Sequence, residues 1–493
     1  MRRGIVIGAG IAGIATSIRL AHQGYDITVY ESNDYAGGKL SAIRNGDYRF
    51  DAGPSLFTMP TLVNDLFRLC GEDPKEYFNY QRKESTCNYF WNDGKKYQMP
   101  AGIDNIVNSL VDHFDTNKST VQKYLDRSKL KYEKTAPVFL QRSLHKASSF
   151  TNRETLLAMA TIPKLDIGTT LHDVNRKTFK DEKLIQLFDR FATYNGSSPY
   201  QTPGIMSMIP HLEMGIGTYF PNGGMVSITN SLVALAKRQG VKFIFNSKVD
   251  KILKGNGKVT GVVVMGEQRN ADIVVSNMDV FSTYKNLLPE KDWPKKTLAQ
   301  EQSSSALIFY WGIAKTFPEL DLHNILFADD YAGEFEKIFK TKTISEDPTV
   351  YINISSKCNP ADAPSGCENW FVMINTPGDY GQDWDMIIRK VKKNIIKKIN
   401  KVLNCDLESL IRTENILEPR LIQSKTQSHR GALYGTASNN KFAAFLRHSN
   451  FSKKIKNLYF CGGSVHPGGG IPLCLHSAQI VSDLVSTDHR PNN

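Results

Sequence analysis

The sequence predicts an α/β fold: a Rossmann-type nucleotide-binding domain assembled from discontinuous segments, an inserted α+β domain, and a helical cap. Three observations carry that prediction. The first forty residues read as strand, glycine turn, helix and strand. The last forty return to a strand and a glycine turn that opens a helix. The stretch between holds a helical block and then separate strand signals.

Gly4, Ile5, Val6 and Ile7 make a short apolar strand that enters the turn Gly8, Ala9, Gly10, Ile11, Ala12, Gly13. A helix follows over 11–23, with Ile11, Ile14, Ala15, Ile18 and Ala21 on its apolar face and Gly24 at its end. A second strand, 26–31, ends on the acid Glu31. Each part of this βαβ fingerprint has a reason. Gly8 permits the tight turn, Gly10 lets the backbone approach a pyrophosphate, and Gly13 lets helix and strand pack closely. The helix start offers free N–H groups and a positive dipole end to phosphate. Glu31 can accept a hydrogen bond from a ribose 2′-OH, which argues against a 2′-phosphate.

After Glu31 come Gly37, Gly38 and Lys39, and then Asp51, Ala52, Gly53, Pro54, Ser55 and Leu56. The first group places Lys39 near the phosphate end of a bound nucleotide; the second is a wall for the other half of the cofactor. From 104 to about 190 the pattern is helical, with helices expected over 107–114, 121–130 and 154–160 and apolar islands at 138–140 and 156–159. A turn over 215–225 leads into a helix over 226–239. Strands follow at 241–245, 247–253, 259–265 and 271–276, the last running into Asn277. Strand signals at 306–311, 349–354 and 370–375 mark the inserted domain. Strand 457–463 then enters Ser464, Val465, His466, Pro467 and the glycines 468–470, and a closing helix spans 473–487. Glycines at a helix start make a second anion-friendly site.

Composition sets the class. The 493 residues are 41% hydrophobic and 22% charged, which excludes a disordered or fibrous chain and leaves room for two or three domains. No apolar run reaches the length of a membrane-spanning helix. The chain enters a strand at once, so a cytoplasmic protein without a signal peptide is expected. Seven cysteines lie scattered without a CxxC pair, and no cluster has metal-ligand spacing, so neither disulfides nor a metal site are expected. The net charge is +12, and residues 123–180 hold twelve Lys or Arg against five Asp or Glu. That surplus admits an anionic partner. No nucleic-acid motif accompanies it. One reading is an ordinary helical subdomain; the other is a cap that leans on a membrane surface. A second basic run, 389–401, reads as a helix with a solvated lysine face.

The residues from Gly8 to Gly13, Glu31, the GGK at 37–39, Asp51 to Ser55, the 219–224 turn and the glycines of 462–472 resemble, in order and spacing, the bacterial carotenoid desaturases of the phytoene-desaturase type. The stretch 51–60 is most similar to the branch that acts on hydroxylated carotenoid ends, the 1-hydroxycarotenoid 3,4-desaturases. Leu473, Cys474 and Leu475 depart from the smaller residues common there.

The resemblance implies non-covalent FAD. The ribose would lie on Glu31 and the pyrophosphate over Gly8, Gly10, Ala12 and Gly13, with Gly38, Lys39, Ser55 and Leu56 nearby. Val249 would hold the adenine side, with Asn277, Gly463, Gly470 and Ile471 completing the site. His466 is the one titratable group in the closing glycine motif, either structural or able to stabilise charge or hydrogen-bond a hydroxyl end. The resemblance also implies desaturation of CH2–CH2 to CH=CH beside a polyene, with hydride passing to flavin N5. Such chemistry needs positioning more than a strong base. A substrate of about forty carbons, at about 0.8 kcal/mol per methylene exposed to water, should come directly from lipid. The enzyme would then sit peripherally on the inner face of the membrane. The expected division is a cofactor domain of 1–84, 222–288 and 452–493, a substrate domain of 85–122 and 289–451, and a cap of 123–211. A phytoene desaturase, a carotene isomerase, an amine oxidase or a non-catalytic prenyl-binding protein would share the scaffold.

Overall fold

A computed structural model describes residues 1–146, 165–440, 442 and 446–489. Five short strands form one parallel sheet in the order Leu458–Phe460, Ile273–Ser276, Arg3–Ile7, Asp26–Tyr30 and Lys242–Ile244. Val6 is the centre of the register, with Val275 on one side and Val29 on the other. Strands this apolar belong in a sheet covered on both faces. Helices Ile11–His22, Val226–Arg238 and Ile471–Asp488 bury Ile14, Ile18, Leu232, Leu235 and Val481 against one face. The other face carries an antiparallel meander, Val249–Gly255, Lys258–Val264 and Glu267–Asn270, packed through Ile252 and Val262. The first and last strands are separated by one strand only, so the two glycine turns of the chain emerge side by side at the carboxyl edge, where α/β sheets bind ligands.

A seven-stranded mixed sheet stands beside this layer, ordered Ile411–Leu417, Ser305–Ile313, Glu368–Thr376, Val350–Asn353, His323–Leu326, Ser85–Phe90 and Lys96–Pro100. Its pairs are antiparallel except His323–Leu326 with Ser85–Phe90. Period-two alternation splits its residues between faces. Phe309, Trp311, Trp370, Val372 and Ile352 turn outward onto helix Trp384–Leu403, which answers with Val391, Ile395 and Ile399. This is the basic helix; Arg389, Lys393, Lys397 and Lys401 are exposed, whereas Lys398 is buried and donates to Asp347 and the Pro348 carbonyl. Ile308, Tyr310, Phe371, Met373, Tyr351 and His323 turn the other way, into a cavity.

Helices cover the far side of that cavity. They run over Ile103–His113, Lys118–Phe139, Leu171–Thr178 and Glu182–Asp189. The helix expected over 121–130 is longer in both directions. Asn117 caps its start by accepting the Thr120 N–H, and Pro137 lies in its last turn. Thr170 and Asp173 form a capping box for the next helix. The expected helix 154–160 and the apolar island 156–159 lie outside the described residues. The island 138–140 turns inward, not out: Val138 is buried against Leu144, and Phe139 and Leu140 line the cavity.

Candidate active site

One cavity of about 1240 Å³ runs from the paired glycine turns to the inner face of the seven-stranded sheet. It exceeds the roughly 300–1,000 Å³ of a typical small-molecule pocket, as a site that takes a cofactor and a substrate together would.

The nucleotide end is built by close backbone approach. A Cβ on Gly10 would lie 2.5 Å from Asn277 Oδ1, and one on Gly13 would overlap the Gly8 carbonyl oxygen. Helices Ile11–His22 and Ile471–Asp488 both begin at a glycine, Gly10 and Gly470, without a side-chain cap and without an acid in the first turn. Two sets of free N–H groups therefore point into one cavity, the donor arrangement that a dinucleotide with anionic groups needs. Glu31 lines the same end. Its Oε2 accepts the Ala9 N–H at 2.7 Å and its Oε1 accepts the Asn33 N–H at 2.9 Å, so the acid also braces the glycine turn. Val249 stands close by, because the Ser247 N–H donates to the Glu31 carbonyl. The residues present fit an FAD.

Gly8, Gly10, Ala12, Glu31, Gly38, Lys39, Ser55, Leu56, Val249, Asn277, Gly463, His466, Gly470 and Ile471 all line the cavity. Gly13 does not; it sits behind the wall, where its missing side chain lets the helix close on the Gly8 carbonyl and Asn277. The Lys39 ammonium is held by the chain itself. Its Nζ donates to the carbonyls of Ala432 and Leu433, both at 2.9 Å. Burial lowers this ammonium to about 8, and a desolvated cation takes the nearest acceptors. Asn277 bridges the two turns, with Nδ2 donating to the Cys461 carbonyl at 3.2 Å. His466 donates from Nε2 to the Arg142 carbonyl at 2.8 Å, and burial pushes its imidazole down to about 3, so it stays neutral at physiological pH. Asp51 caps helix Val226–Arg238 from far away in the sequence. It accepts the Met225 and Val226 N–H groups and holds an ion pair with Arg49, which fixes the loop that carries Ser55.

The substrate end is apolar with one polar cluster that the sequence did not disclose. Arg190 and Glu213, both buried, pair at 2.6 Å; the Tyr194 hydroxyl donates to the second carboxylate oxygen, and Arg190 Nη2 reaches the Tyr89 hydroxyl at 2.5 Å. Across from them, Ser55, Tyr351 and His323 form a hydrogen-bonded chain. A polar residue at the first position of an apolar strand, His323 before Ile325 and Leu326, is the one local signal that pointed here. Arg447, also missed, donates to the Tyr434 and Thr436 carbonyls and holds the 434–438 segment against the closing glycine turn.

A parallel-sheet dinucleotide site joined to a broad sheet-floored cavity defines a class, and the comparisons agree with it. The chain belongs to the flavin containing amine oxidoreductase family, which matches residues 11–486. It is an FAD-dependent oxidoreductase. It is 58% identical to a 1-hydroxycarotenoid 3,4-desaturase of Flavobacterium sp., over 98% of this chain and 99% of that one. It is 31% identical to a phytoene desaturase of Fusarium fujikuroi, over 98% of this chain and 89% of that one. Among solved structures, an oxidoreductase from Methanosarcina mazei superposes with a TM-score of 0.63 at 17% identity, covering 98% of this chain and all of the other, which establishes the fold.

Proposed function

We propose that this protein desaturates a carotenoid at a hydroxylated or acyclic end, turning CH2–CH2 beside the polyene into CH=CH. One observation carries the proposal: the cavity is continuous from the dinucleotide end to a long apolar floor of Ile308, Phe371, Met373 and Ile325. The identity to the Flavobacterium enzyme supports it, and the name of that enzyme places an oxygen on carbon 1 and the new double bond between carbons 3 and 4.

When bound, the flavin supplies a two-electron acceptor for hydride. The chain's own residues do the rest. Gly10, Ala12, Glu31, Val249, Gly463, Gly470 and Ile471 would hold the cofactor. The sheet floor and the helices across from it exclude water and fix which carbons of a linear guest lie over the ring, where misplacement is costly. The hydride leaves a cation whose charge spreads along the polyene, which makes the single proton on the neighbouring carbon acidic, so a weak acceptor suffices. His466 acts as a positioning residue, since an imidazole held at about 3 takes up no proton near neutrality. Its donated hydrogen bond keeps the 142 backbone over the closing turn. The same proposal assigns 1–84, 222–288 and 452–493 to the cofactor domain, 85–122 and 289–451 to the substrate domain, and 123–211 to the cap.

The test is coexpression with a set of acyclic and hydroxylated polyenes. The expected result is a product whose absorption moves to longer wavelength by the step of one added conjugated bond. A flavin-loaded protein that changes none of them would overturn the reading.

Peripheral attachment to the cytoplasmic membrane face belongs to the same proposal. Lys123, Arg127, Lys129, Lys134, Arg176, Lys177 and Lys180 are exposed, and Leu130 is exposed among them. Among the described residues no helix is long and apolar enough to cross a membrane. Flotation with anionic liposomes should be lost when these cations are neutralised; flotation unchanged by that substitution would refute the contact.

A further inference from the structure

The chain Ser55–Tyr351–His323 has a direction that can be worked out. Asn353 Nδ2 donates to the Leu322 carbonyl at 2.9 Å, which fixes its amide, and it lies 3.3 Å from His323 Nδ1. An amide nitrogen can only donate, so Nδ1 is the acceptor nitrogen of the ring. The Tyr351 hydroxyl, 2.7 Å from Nδ1, therefore donates to it. That hydroxyl has spent its proton, so Ser55 Oγ, 2.8 Å away, donates to Tyr351. The remaining imidazole proton is on Nε2. This N–H is buried and has no partner among the described residues, although His323 lines the cavity and is only 3% exposed. Thr86, on the strand that pairs in parallel with the His323 strand, lines the same cavity with a hydroxyl that is likewise unpartnered among the described residues. A buried donor without an acceptor costs free energy and is uncommon unless a ligand completes it.

We propose that His323 Nε2–H is the donor that recognises a hydroxyl oxygen on the substrate, with Tyr351 and Ser55 holding the ring in the donating tautomer. This rests on the polyene-desaturase reading and names the group that reads the oxygenated end. The position suits it. Ser55 belongs to the loop whose Gly53 packs against the Lys39 backbone, at the border between the dinucleotide end and the sheet floor. An oxygen held by His323 is three hydrogen bonds from that border, in the same cavity as the dinucleotide end. A substrate with oxygen two carbons from its new double bond requires that continuity. Burial, helped by the Lys83 ammonium and the Arg190 guanidinium, outweighs the Asp321 carboxylate and lowers the ring to about 3, so it neither titrates nor changes role near neutral pH. His323 is thus a specificity residue and takes no part in proton removal.

The test is the ratio of kcat/KM for a hydroxylated polyene to that for its deoxy analogue. One neutral hydrogen bond sets an expected preference of about tenfold or more in the wild type. His323→Leu should collapse the ratio toward one, and His323→Gln, which restores an N–H donor, should recover part of it. A ratio unchanged in H323L overturns the proposal. So does equal loss of both substrates in a variant that keeps its flavin absorbance and its unfolding midpoint. If the wild type turns over neither polyene, the desaturase reading has failed, and the hydroxyl proposal is then judged by binding. The hydroxylated polyene must quench protein fluorescence at lower concentration than the deoxy one, and H323L must erase the difference.

Discussion

Removing the carboxylate of Glu213 should destabilise the protein by a predictable amount. Arg190 and Glu213 face each other at 2.6 Å with side chains 7% and 2% exposed. At an effective dielectric of about 20 and about 4 Å between charge centres, their attraction is about 4 kcal/mol. Glu213→Ala leaves the guanidinium desolvated, with the Tyr89 and Tyr194 hydroxyls and the faces of Tyr89 and Phe191 beside it. Breaking a buried pair from one side costs about 3–5 kcal/mol, because the surviving charge is stranded. An unfolding entropy of about 2.1 cal/mol/K per residue gives about 1 kcal/mol/K for a chain of 493 residues, so the midpoint should fall by about 4 °C if the chain unfolds as one unit. The assay is thermal unfolding of flavin-loaded protein by circular dichroism, at matched flavin occupancy. The double variant R190M/E213L removes both charges and should recover most of the loss. An E213A midpoint within about 1 °C of wild type, or a double variant as damaged as the single one, would refute the stranded-charge argument.

Two further predictions rest on single features. Gly13→Ala sets a methyl against the Gly8 carbonyl and 2.9 Å from Asn277 Oδ1; overpacking of about 1–3 kcal/mol should weaken flavin retention by about tenfold, read as flavin absorbance per polypeptide. Full retention would mean that the turn does not need its close approach. Burial holds His323 and His466 down to about 3 and His448 and His476 down to about 4. Their folded values lie below the unfolded 6.5, so the stability they give is complete above that pH and is lost as pH falls toward 4, by up to about 1.4 kcal/mol per group per pH unit. Unfolding midpoints should drop steeply between pH 6.5 and 5, and a flat profile would show that these rings are protonated in the folded state.

The nucleotide half was legible because its physics is local. Gly8 to Gly13 and the Gly468–Gly470 run each encode a turn and a helix start within a few residues, and a backbone that must approach phosphate leaves only glycine as a solution. The helix 226–239 and the basic helix near 389–401 were legible through their period. The partners of Lys39, the carbonyls of Ala432 and Leu433, were not legible, because they lie nearly four hundred residues away and no local pattern announces them. Asp51 was placed beside the cofactor for the same reason, whereas its carboxylate caps a helix that starts at Val226.

The polar cluster shows why specificity is harder to read than fold. Arg190 follows an amphipathic helix, Glu213 lies in the short π-helix His211–Ile216, and Tyr351 and His323 stand on neighbouring strands of a sheet; each alone reads as an ordinary surface or core residue. Only the sheet register brings Tyr351 beside His323, and the loop that sets Ser55 against Tyr351 is tied down by the Asp51 cap and by the Tyr310 hydroxyl on the Ala52 carbonyl. A glycine turn binds the part of a cofactor that many proteins share, so its constraint is written contiguously in the chain. A donor that reads one oxygen on one guest needs three segments in register, and its constraint is dispersed among them. Register therefore offers a separate handle on selectivity: a β-bulge inserted between Ile352 and Asn353 should leave flavin absorbance intact while erasing discrimination between hydroxylated and deoxy polyenes, and coupled loss of both properties would show that the two ends of the cavity are one cooperative unit.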